Sequence, residues 1–434
     1  MSKPLAAIVG RPNVGKSTLV NRLGATRQAI VDMTAGVTRD RNYVEADWRG
    51  RDFILVDTGG LESGREEPMM QAIKTQAMAA VAEADLILFV VAGQSGLTGA
   101  DEEVAEILRK TNKPLLLVVN KVDNPANEAA ITPFYQLGIG EPIPVSASHG
   151  LMTGDLLDMI VDNLPDAAPE EIDTTQIRIA IVGRPNAGKS SVFNHIIGSD
   201  RSVVSEIPGT TRDAIDTIVT AGERQYRFID TAGLRRVAKL SGNLEYYGTL
   251  RAIKALEDAS VAMLVVDCSV GLTDQDQKIA RLAQEKHCAL VILLNKWDIV
   301  DEEQAEAIEY QVAHKLSFVE YAIVIKTSAQ TGLGIRRAFS AIDKVHTSYN
   351  RRISTNALNK FLIAVRNRHL PTRKGKALKL KFITQLKESP PAFLIFVNDP
   401  RIVDNAYKRY LDKNFRAEFD LTGTPVNYFF RKGE

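Results

Sequence analysis

The hydrophobic pattern of the chain consists of short apolar runs that alternate with longer stretches of helical spacing. The runs lie at residues 5–9, 53–56, 86–91, 115–119 and 143–145, and again at 177–182, 226–229, 261–266, 290–294 and 322–325. Because each run is continuous, it predicts a strand buried on both faces, as in a parallel sheet covered by helices. The pattern therefore predicts an α/β fold, and ligands of such sheets bind at the carboxyl ends of the strands.

A long internal repeat organises the first 350 residues. The segment GRPNVGKS at 10–17 returns as GRPNAGKS at 183–190, an offset of 183 minus 10, or 173 residues. Later landmarks recur in the same order, and they are GVTRD at 36–40 with GTTRD at 209–213, DTGG at 57–60 with DTAG at 230–233, NKVD at 120–123 with NKWD at 295–298, and SAS at 146–148 with SAQ at 328–330. Self-similarity over this length predicts two copies of one domain in tandem.

The repeat also sets the expected domain boundaries. The first copy is predicted to span residues 1–164, an acidic linker residues 165–176, and the second copy residues 177–350. Residues 351–434 follow another pattern, with a helix predicted at 354–368, strands at 378–383, 392–397 and 426–430, and a second helix that begins at the Asn-Asp-Pro of 398–400 and ends near 415. This pattern predicts a small α+β domain without a phosphate-binding motif.

Composition and charge add one asymmetry to this picture. Of the 434 residues, 45% are hydrophobic and 25% are charged, which is typical of a globular protein, and the formal net charge is +1. Residues 351–434 contain 18 Lys+Arg and 7 Asp+Glu, a net charge of +11, so residues 1–350 carry 36 minus 46, or −10. The two cysteines, Cys268 and Cys288, are too few for a disulfide framework, and no apolar run has the length of a membrane span. We therefore expect a cytosolic monomer with a basic C-terminal domain.

The repeated GRPNxGKS segment has the residue types of a phosphate-binding loop. Each copy lies between an apolar run and a helix-compatible segment, which is the context that a working loop needs. Its glycines let backbone N–H groups turn toward phosphate oxygens, and the helix N-terminus adds a positive dipole end. We predict that Lys16 and Lys189 bind the β- and γ-phosphates and that the hydroxyls of Ser17 and Ser190 bind Mg²⁺.

Two further pairs of residues suit the γ-phosphate and its metal ion. Thr38 and Thr211 each lie in a polar loop that a γ-phosphate and Mg²⁺ can order, and a loop threonine without a role is the alternative. Asp57 and Asp230 follow apolar strands in Asp-Thr-x-Gly, where a carboxylate suits the Mg²⁺ site and an Asx turn is the alternative. The repeated sequence around each residue favours the functional interpretation.

The Asn-Lys-x-Asp segments predict which base is bound. The carboxylate of Asp123 or Asp298 can accept hydrogen bonds from N1–H and the exocyclic amine of guanine, whereas adenine offers neither donor there. Sites built to hydrogen-bond a ligand reject analogues by roughly 10⁴ to 10⁵. A solvated charged turn is the alternative, and it fits one copy better than two. Guanine is therefore favoured over adenine, and GTP and GDP are the expected ligands.

Together, these motifs define two predicted nucleotide sites, one in each copy. The first consists of Gly10, Arg11, Pro12, Asn13, Val14, Gly15, Lys16, Ser17, Asp57, Thr58, Gly59, Gly60, Leu61, Asn120, Lys121, Val122, Asp123, Ser146 and Ala147. The second consists of Gly183, Arg184, Pro185, Asn186, Ala187, Gly188, Lys189, Ser190, Asp230, Thr231, Ala232, Gly233, Leu234, Asn295, Lys296, Trp297, Asp298, Ser328 and Ala329. The residues expected to act in hydrolysis are Lys16, Thr38, Lys189 and Thr211, and those expected at Mg²⁺ are Ser17, Thr38, Asp57, Ser190, Thr211 and Asp230.

With these motifs in this order, the sequence resembles the EngA/Der family, bacterial tandem GTPases that act in assembly of the large ribosomal subunit. The resemblance covers essentially the whole chain and implies a KH-like C-terminal domain, with the large ribosomal subunit or its precursor as the partner. It also implies that Asn13 and Asn186 take part in potassium-stimulated hydrolysis. Leu61 and Leu234 stand where many GTPases have a water-orienting glutamine, which is normal for the family, so hydrolysis must be organised otherwise.

The sequence thus predicts a Mg²⁺-dependent GTPase of three domains that binds ribosomal precursor in a nucleotide-dependent way. The alternative is an RNA-binding scaffold in which one or both nucleotide sites are structural, and the intact motifs of both copies argue against it. An ATP-driven nucleic-acid enzyme conflicts with both Asn-Lys-x-Asp segments. The C-terminal domain lacks the Gly-x-x-Gly loop of RNA-binding KH domains, although its charge suits phosphate. The basic segment 235–239 is interpreted equally as an RNA contact or as a solvated loop.

Overall fold

The computed structural model describes residues 3–24, 43–57, 69–124, 130–165, 176–198, 202–208, 215–231, 244–366, 371–373 and 376–433. The chain divides into two compact units, one of residues 1–170 with 241–250 and the other of residues 171–240 with 251–434. The first α/β domain lies in the first unit. The second unit holds the sheet of the second α/β domain and the whole C-terminal domain.

The first domain is, within its described residues, a six-stranded sheet in the order β2-β3-β1-β4-β5-β6. Its strands are β1 Leu5–Val9, β2 Tyr43–Trp48, β3 Arg51–Asp57, β4 Leu86–Ala92, β5 Leu115–Asn120 and β6 Ile143–Pro144, and its helices are α1 Lys16–Gly24, α2 Met69–Glu83, α3 Gly99–Leu108 and α4 Thr153–Asn163. Neighbouring strands are parallel except β2 and β3. Every residue of β1 and β4 is buried, as their continuous apolar runs predicted.

The second domain repeats this arrangement and has one more strand among its described residues, in the order β13-β12-β11-β7-β10-β9-β8. Its strands are β7 Gln176–Val182, β8 Ser202–Pro208, β9 Ile215–Ala221, β10 Arg224–Phe228, β11 Val261–Asp267, β12 Ala289–Asn295 and β13 Ile323–Lys326. Its helices are α5 Lys189–Ile197, α6 Leu244–Asp258, α7 Asp274–Glu285, α8 Glu302–Lys315 and α9 Ile335–Tyr349. The predicted α/β fold with a largely parallel sheet is therefore confirmed in both copies.

The hydrophobic pattern missed the strands at one edge of each sheet, which are β2, β8 and β9. These strands pair in antiparallel fashion, β2 with β3, and β9 with both β8 and β10. In β2, Ala46 is fully buried, while the residues on either side of it are partly exposed. Because antiparallel strands at an edge need not be covered on both faces, they carry no continuous apolar run.

The C-terminal domain packs two helices on one face of a three-stranded sheet, in the order β16-β17-β18 among its described residues. Its strands are β14 Thr372–Arg373, β15 Lys376–Ala377, β16 Leu380–Lys387, β17 Ala392–Val397 and β18 Asn427–Lys432, and its helices are α10 Thr355–Arg366 and α11 Asn405–Glu418. The ring of Phe415 lies 5.1 Å from that of Phe361 in α10 and 4.7 Å from that of Phe393 in β17. This domain thus has a hydrophobic core of its own.

The second helix of this domain begins later than the sequence predicted. The side chain of Asp399 caps only a single 3-10 turn, Pro400–Ile402, after which the chain is extended at Val403. A second cap follows, since Asp404 accepts a hydrogen bond of 2.7 Å from the backbone N–H of Tyr407, and α11 begins there. Two aspartate caps therefore occur within six residues, and the buried Ile402 lies in the turn between them.

A short loop joins the C-terminal domain to the second α/β domain. The backbone N–H of Gly423 donates to the carbonyl of Tyr321 at 2.7 Å, and its carbonyl accepts from the backbone N–H of Leu290 at 2.7 Å. The hydroxyl of Thr424 donates to the carbonyl of Val345 at 3.2 Å. Leu290 and Tyr321 lie at the amino ends of β12 and β13. The C-terminal domain therefore attaches at the edge of this sheet opposite to the predicted nucleotide site.

Candidate nucleotide-binding sites

The phosphate loop of each copy joins the first parallel strand to the following helix and closes around its lysine. Lys16 is 7% exposed, and its Nζ donates to the carbonyls of Gly10 at 2.7 Å and Arg11 at 3.0 Å. In the second copy, Lys189 Nζ donates to the matching carbonyls at 2.9 and 2.8 Å. Each ammonium is thus held inside the loop by backbone oxygens, at the place where a phosphate group would be bound.

Burial changes the acidity of the lysine in the second loop. It lowers the pKa of Lys189 from 10.5 to about 8, because removal from water disfavours the charged ammonium. The negative charge of Asp276 acts in the opposite direction, and the positive charge of Arg251 adds to the lowering. An anionic phosphate is the natural counter-charge for such a buried ammonium.

A glycine in each phosphate loop allows close approach of the Asn-Lys-x-Asp segment. Gly15 has a φ of +93°, and a Cβ atom there would lie 2.4 Å from Nδ2 of Asn120. Gly188 has a φ of +95°, and its Cβ would lie 2.2 Å from Nδ2 of Asn295. Both the backbone conformation and the available space therefore require glycine at these positions.

Two of the residues predicted at Mg²⁺ in the first copy, Ser17 and Asp57, lie together. Asp57, at the carboxyl end of β3, is fully buried, and its carboxylate accepts a hydrogen bond from the hydroxyl of Ser17 at the start of α1. A hydroxyl and a carboxylate beside a phosphate loop suit Mg²⁺, which prefers oxygen ligands and keeps several of its waters. In the second copy the backbone N–H of Asp230 donates to the carboxylate of Asp216 at 3.0 Å, which holds Asp230 just after the end of β10.

Three motifs that are distant in the sequence of the first copy meet at its Asn-Lys-x-Asp segment. Nδ2 of Asn120 donates to the carbonyl of Val14 at 2.8 Å, and its Oδ1 accepts from the backbone N–H of Ala147 at 3.1 Å. The hydroxyl of Ser146 donates to Asp123 Oδ1 at 2.8 Å. The structure thus links the phosphate loop, the Asn-Lys-x-Asp segment and the Ser-Ala segment around one place, as a single nucleotide site requires.

The second copy makes the same links through Asn295. Its Nδ2 donates to the carbonyl of Ala187 at 2.9 Å, and its Oδ1 accepts from the backbone N–H of Ala329 at 3.1 Å. Asp298 lies on the exposed side of this segment, and Trp297 beside it stacks under the ammonium of Lys326, 4.5 Å from the ring centroid.

The lysines of the two Asn-Lys-x-Asp segments have different partners. Lys121 Nζ donates to the carbonyl of Asn13 at 2.7 Å, whereas Lys296 Nζ donates to the carboxylate of Asp267 at 2.7 Å. Asp267 was missed by the sequence analysis, although it follows an apolar run at the carboxyl edge of the sheet, as the recognised motifs do. Arg22 was also missed, and it holds the Ser-Ala segment through the carbonyls of Ala147 at 3.0 Å and Ser148 at 2.8 Å.

Several predicted residues lie outside the described part of the chain, and their predicted roles are untested. They are Thr38, Thr58, Gly59, Gly60, Leu61, Thr211, Ala232, Gly233, Leu234 and the basic segment 235–239.

Comparison with known proteins identifies the family. Residues 5–121 and 178–296 match the family model described as 50S ribosome-binding GTPase, and residues 352–431 match the KH-domain-like family of EngA bacterial GTPase enzymes, C-terminal. The chain is also 49% identical over 437 residues to the GTPase Der of Desulforudis audaxviator, with 100% of each protein covered. This chain belongs to the GTPase Der family. It is 45% identical over 436 residues to the GTPase Der of Moorella thermoacetica and 47% over 438 residues to that of Heliobacterium modesticaldum, in each case covering 100% of this chain and 99% of the relative.

Membership confirms the resemblance to the EngA/Der family and settles the class of activity. The protein is a GTPase with two G domains and a KH-like C-terminal domain, and guanine nucleotides are its ligands. Among the described residues, no helix is long and apolar enough to cross a membrane.

Proposed function

We propose that this GTPase acts in assembly of the large ribosomal subunit and binds the ribosomal precursor in one nucleotide state. The observation that carries the proposal is the match of both G domains to a family described as 50S ribosome-binding GTPase, in a chain whose residues 351–434 carry a net charge of +11. A positive domain attracts the phosphates of RNA. As part of the same proposal, the protein acts as a cytosolic monomer. Its domains span 1–164, 177–350 and 351–434, and a linker at 165–176 separates the first two.

The open face of the C-terminal sheet supports contact with RNA. Phe382 in β16 and Phe429 in β18 are 42% and 45% exposed on the face opposite to the helices. Register places Phe382 opposite Phe396 and Phe396 opposite Arg431, so an exposed arginine belongs to the same face. Lys381 is exposed at the edge of this face. Aromatic rings beside cationic side chains suit unpaired bases, since stacking contributes about 1–3 kcal/mol per base.

The site residues have proposed roles that follow from their positions. Lys16 and Lys189 exchange the carbonyls that they now bind for the β- and γ-phosphates, while Asp123 and Asp298 bind the guanine edge. Ser17 with Asp57 in the first site and Ser190 with Asp230 in the second would hold Mg²⁺, which would supply positive charge to the phosphate oxygens. Thr38 and Thr211 each bind the γ-phosphate and the metal ion of their own site, and Asn13 and Asn186 each hold a potassium ion in their own site.

We expect the loops around Thr38 and Thr211 to make binding of the ribosomal precursor depend on the nucleotide. Charge alone would hold the protein on any RNA in every nucleotide state, so one state must present a particular shape. A shift from 1:99 to 99:1 between two shapes needs about 5.5 kcal/mol of differential binding. Two γ-phosphates, one in each G domain, can share this amount.

Co-sedimentation with large ribosomal subunits tests the proposal. The full-length protein is incubated with GDP, GTP or a non-hydrolysable GTP analogue at several salt concentrations. Binding should differ between GDP and the analogue, and Lys16→Ala or Lys189→Ala should abolish that difference. Equal binding in all nucleotide states would show that binding to the subunit does not depend on the nucleotide.

Charge variants test whether the basic domain is the contact. Replacement of Lys376, Lys379 and Lys381 by Gln should make the plot of log affinity against log salt shallower by about 2, because each phosphate contact contributes about 0.7 to 0.9. GTP affinity should stay unchanged. The matched control replaces three exposed lysines of the G domains, Lys110, Lys278 and Lys315, and should keep the wild-type slope. If the two triple variants have the same slope, the basic domain is not the contact.

A further inference from the structure

The two nucleotide sites differ at one position that the strand register makes equivalent. The last residue of β11, Asp267, pairs with Asn295, and the last residue of β4, Ala92, pairs with Asn120. Asn295 and Asn120 are themselves the first residues of the two Asn-Lys-x-Asp segments. An aspartate in the second site therefore stands where the first site has an alanine.

Asp267 is buried and binds the Asn-Lys-x-Asp segment of the second site directly. It is 5% exposed, and its Oδ2 accepts a hydrogen bond of 2.7 Å from Nζ of Lys296. Its Oδ1 accepts from the backbone N–H of Ser269 at 3.0 Å. Burial by itself would raise the pKa of Asp267, but the hydrogen bonds from Lys296 and Ser269 outweigh it and hold the pKa below its ordinary value. The carboxylate is thus charged and its position is fixed.

Asp267 also touches the phosphate loop. A guanidinium nitrogen of Arg184 lies 3.3 Å from its backbone carbonyl and 3.7 Å from its carboxylate. Arg184 in turn approaches Asp276 at 3.9 Å. One carboxylate therefore lies between the second residue of the phosphate loop and the second residue of the Asn-Lys-x-Asp segment.

The first site holds the equivalent lysine in another way. With Ala92 at the strand end, Lys121 donates to the carbonyl of Asn13 in the phosphate loop at 2.7 Å. Arg11, the counterpart of Arg184, donates to the buried carboxylate of Asp101 at 3.2 Å. A hydrogen bond with one charged partner is about twice as strong as one between neutral groups, and a second charge of opposite sign adds Coulomb attraction. Lys296 is thus anchored to a rigid central strand by a charged acceptor, whereas Lys121 is attached to a loop by a neutral one.

We propose that Asp267 is a positioning residue that holds Lys296 over the second nucleotide site and makes this site release GDP more slowly than the first. In this proposal, release of GDP requires the Asn-Lys-x-Asp segment to move away from the phosphate loop. In the second site Asp267 contacts both Lys296 and Arg184 and opposes that movement with a charged acceptor. In the first site Ala92 offers no acceptor, and the neutral carbonyl of Asn13 holds Lys121. The inference rests on the proposed roles of Asp123 and Asp298 as base readers.

The test measures release of fluorescent GDP from each site of the full-length protein. An Asp123→Asn background, loaded with xanthosine diphosphate in the first site, reports on the second site, and an Asp298→Asn background reports on the first. If these backgrounds do not change base preference, the proposed base reading fails before Asp267 is tested. In the working backgrounds, GDP should leave the second site more slowly than the first, and equal rates would overturn the inference.

Four variants then separate positioning from general stability. Asp267→Ala should speed release from the second site about tenfold, and Asp267→Asn, which keeps an acceptor without the charge, should give an intermediate rate. Asp274→Ala removes an exposed carboxylate of the same domain and should keep the wild-type rate. Ala92→Asp should slow release from the first site, which a merely structural role of Asp267 does not predict. Wild-type release from folded Asp267→Ala, or no slowing by Ala92→Asp, would overturn the proposal.

A double-mutant cycle identifies the partner through which Asp267 acts. In a Lys296→Ala background, Asp267→Ala should cause no further increase in the release rate, because the ion pair is already absent. A second increase of the same size would show that Asp267 acts independently of Lys296, contrary to the proposal.

Discussion

The side-chain amide of Asn295 donates a 2.9 Å hydrogen bond to the carbonyl oxygen of Ala187, 108 residues earlier in the chain. The first domain has the same bond, of 2.8 Å, between Asn120 and the carbonyl of Val14. Both asparagines are buried, at 1% and 2% exposure. The Asn-Lys-x-Asp segment and the phosphate loop are therefore joined through protein atoms in each copy, and this bond fixes their separation.

Loss of this amide should destabilise one domain at a time. Asn295→Ala leaves the buried carbonyl of Ala187 and the N–H of Ala329 without these bonds, at a cost of about 1–3 kcal/mol. We expect a lower melting temperature for the second domain and weaker GDP binding at its site, measured by calorimetry with and without GDP. Asn163→Ala, which removes an exposed amide at the end of α4, is the control and should change neither. Unchanged GDP affinity in Asn295→Ala would contradict the expectation.

Base specificity should follow the aspartates of both sites. Asp123→Asn or Asp298→Asn should shift the altered site from guanosine to xanthosine nucleotides, because an amide can donate to the additional carbonyl of xanthine. Competition between labelled GDP and unlabelled ATP, GTP and XTP measures the preference. The unaltered site of each variant serves as an internal control and should keep its guanine preference. Equal competition by ATP and GTP in the wild-type protein would refute this prediction.

GDP affinity at the second site should fall at alkaline pH. Burial lowers the pKa of Lys189 to about 8, and a bound phosphate favours the charged ammonium, so binding above this pH requires uptake of a proton. The affinity should be constant below about pH 8 and should fall by up to about tenfold per pH unit above it. Titration calorimetry in buffers of different ionisation enthalpy measures the proton uptake. Lys189→Arg, which stays charged, should lose this dependence, and a flat wild-type profile to about pH 10 would disprove it.

The same pKa has a consequence for stability, of opposite direction. Since the folded-state pKa of Lys189 lies below its ordinary value of 10.5, the unfolded chain binds more protons between about pH 8 and 10.5. This group therefore destabilises the nucleotide-free domain below about pH 8, and the destabilisation is relieved as the pH rises through that window. Denaturant unfolding without nucleotide measures the free energy of unfolding of the wild type and of Lys189→Met. The difference between these two free energies should shrink as the pH rises.

The effect of the Asn13 and Asn186 side chains on the potassium dependence of GTP turnover can be separated from the effect of their backbone conformation. Asn13 and Asn186 have φ values of 67° and 63°, a left-handed conformation that asparagine tolerates better than most residues. Alanine would therefore alter both the backbone and the side chain, whereas glycine keeps the conformation and removes only the side chain. GTP turnover should be faster in potassium than in sodium, and Asn13→Gly with Asn186→Gly should lose the difference. Retention of the full potassium response in the glycine variants would show that these side chains are not ligands of the ion.

The sequence predicted some elements of the fold better than others. The runs 86–91 and 261–266 correspond to β4 and β11, whose residues are all buried, so their apolar character could not be interrupted. Strands β2, β8 and β9 were missed because an antiparallel edge does not impose that pattern. The start of α11 was misplaced because Asp399 and Asp404 are both good helix caps, and only packing of the intervening residues shows which one begins the helix.

By itself, the sequence determined the fold class and the two phosphate loops, because buried parallel strands require continuous apolar runs and each phosphate loop needs glycine and lysine at fixed spacing. It also determined the guanine preference, because both copies contain an Asn-Lys-x-Asp segment. The tertiary structure alone decided how the two copies differ. The contact of Asp267 with Lys296 joins residues 29 positions apart, and it exists because β11 and β12 are neighbours in register. A single aspartate at the end of a strand carries no motif, so its role follows only from the side chain that the fold places beside it.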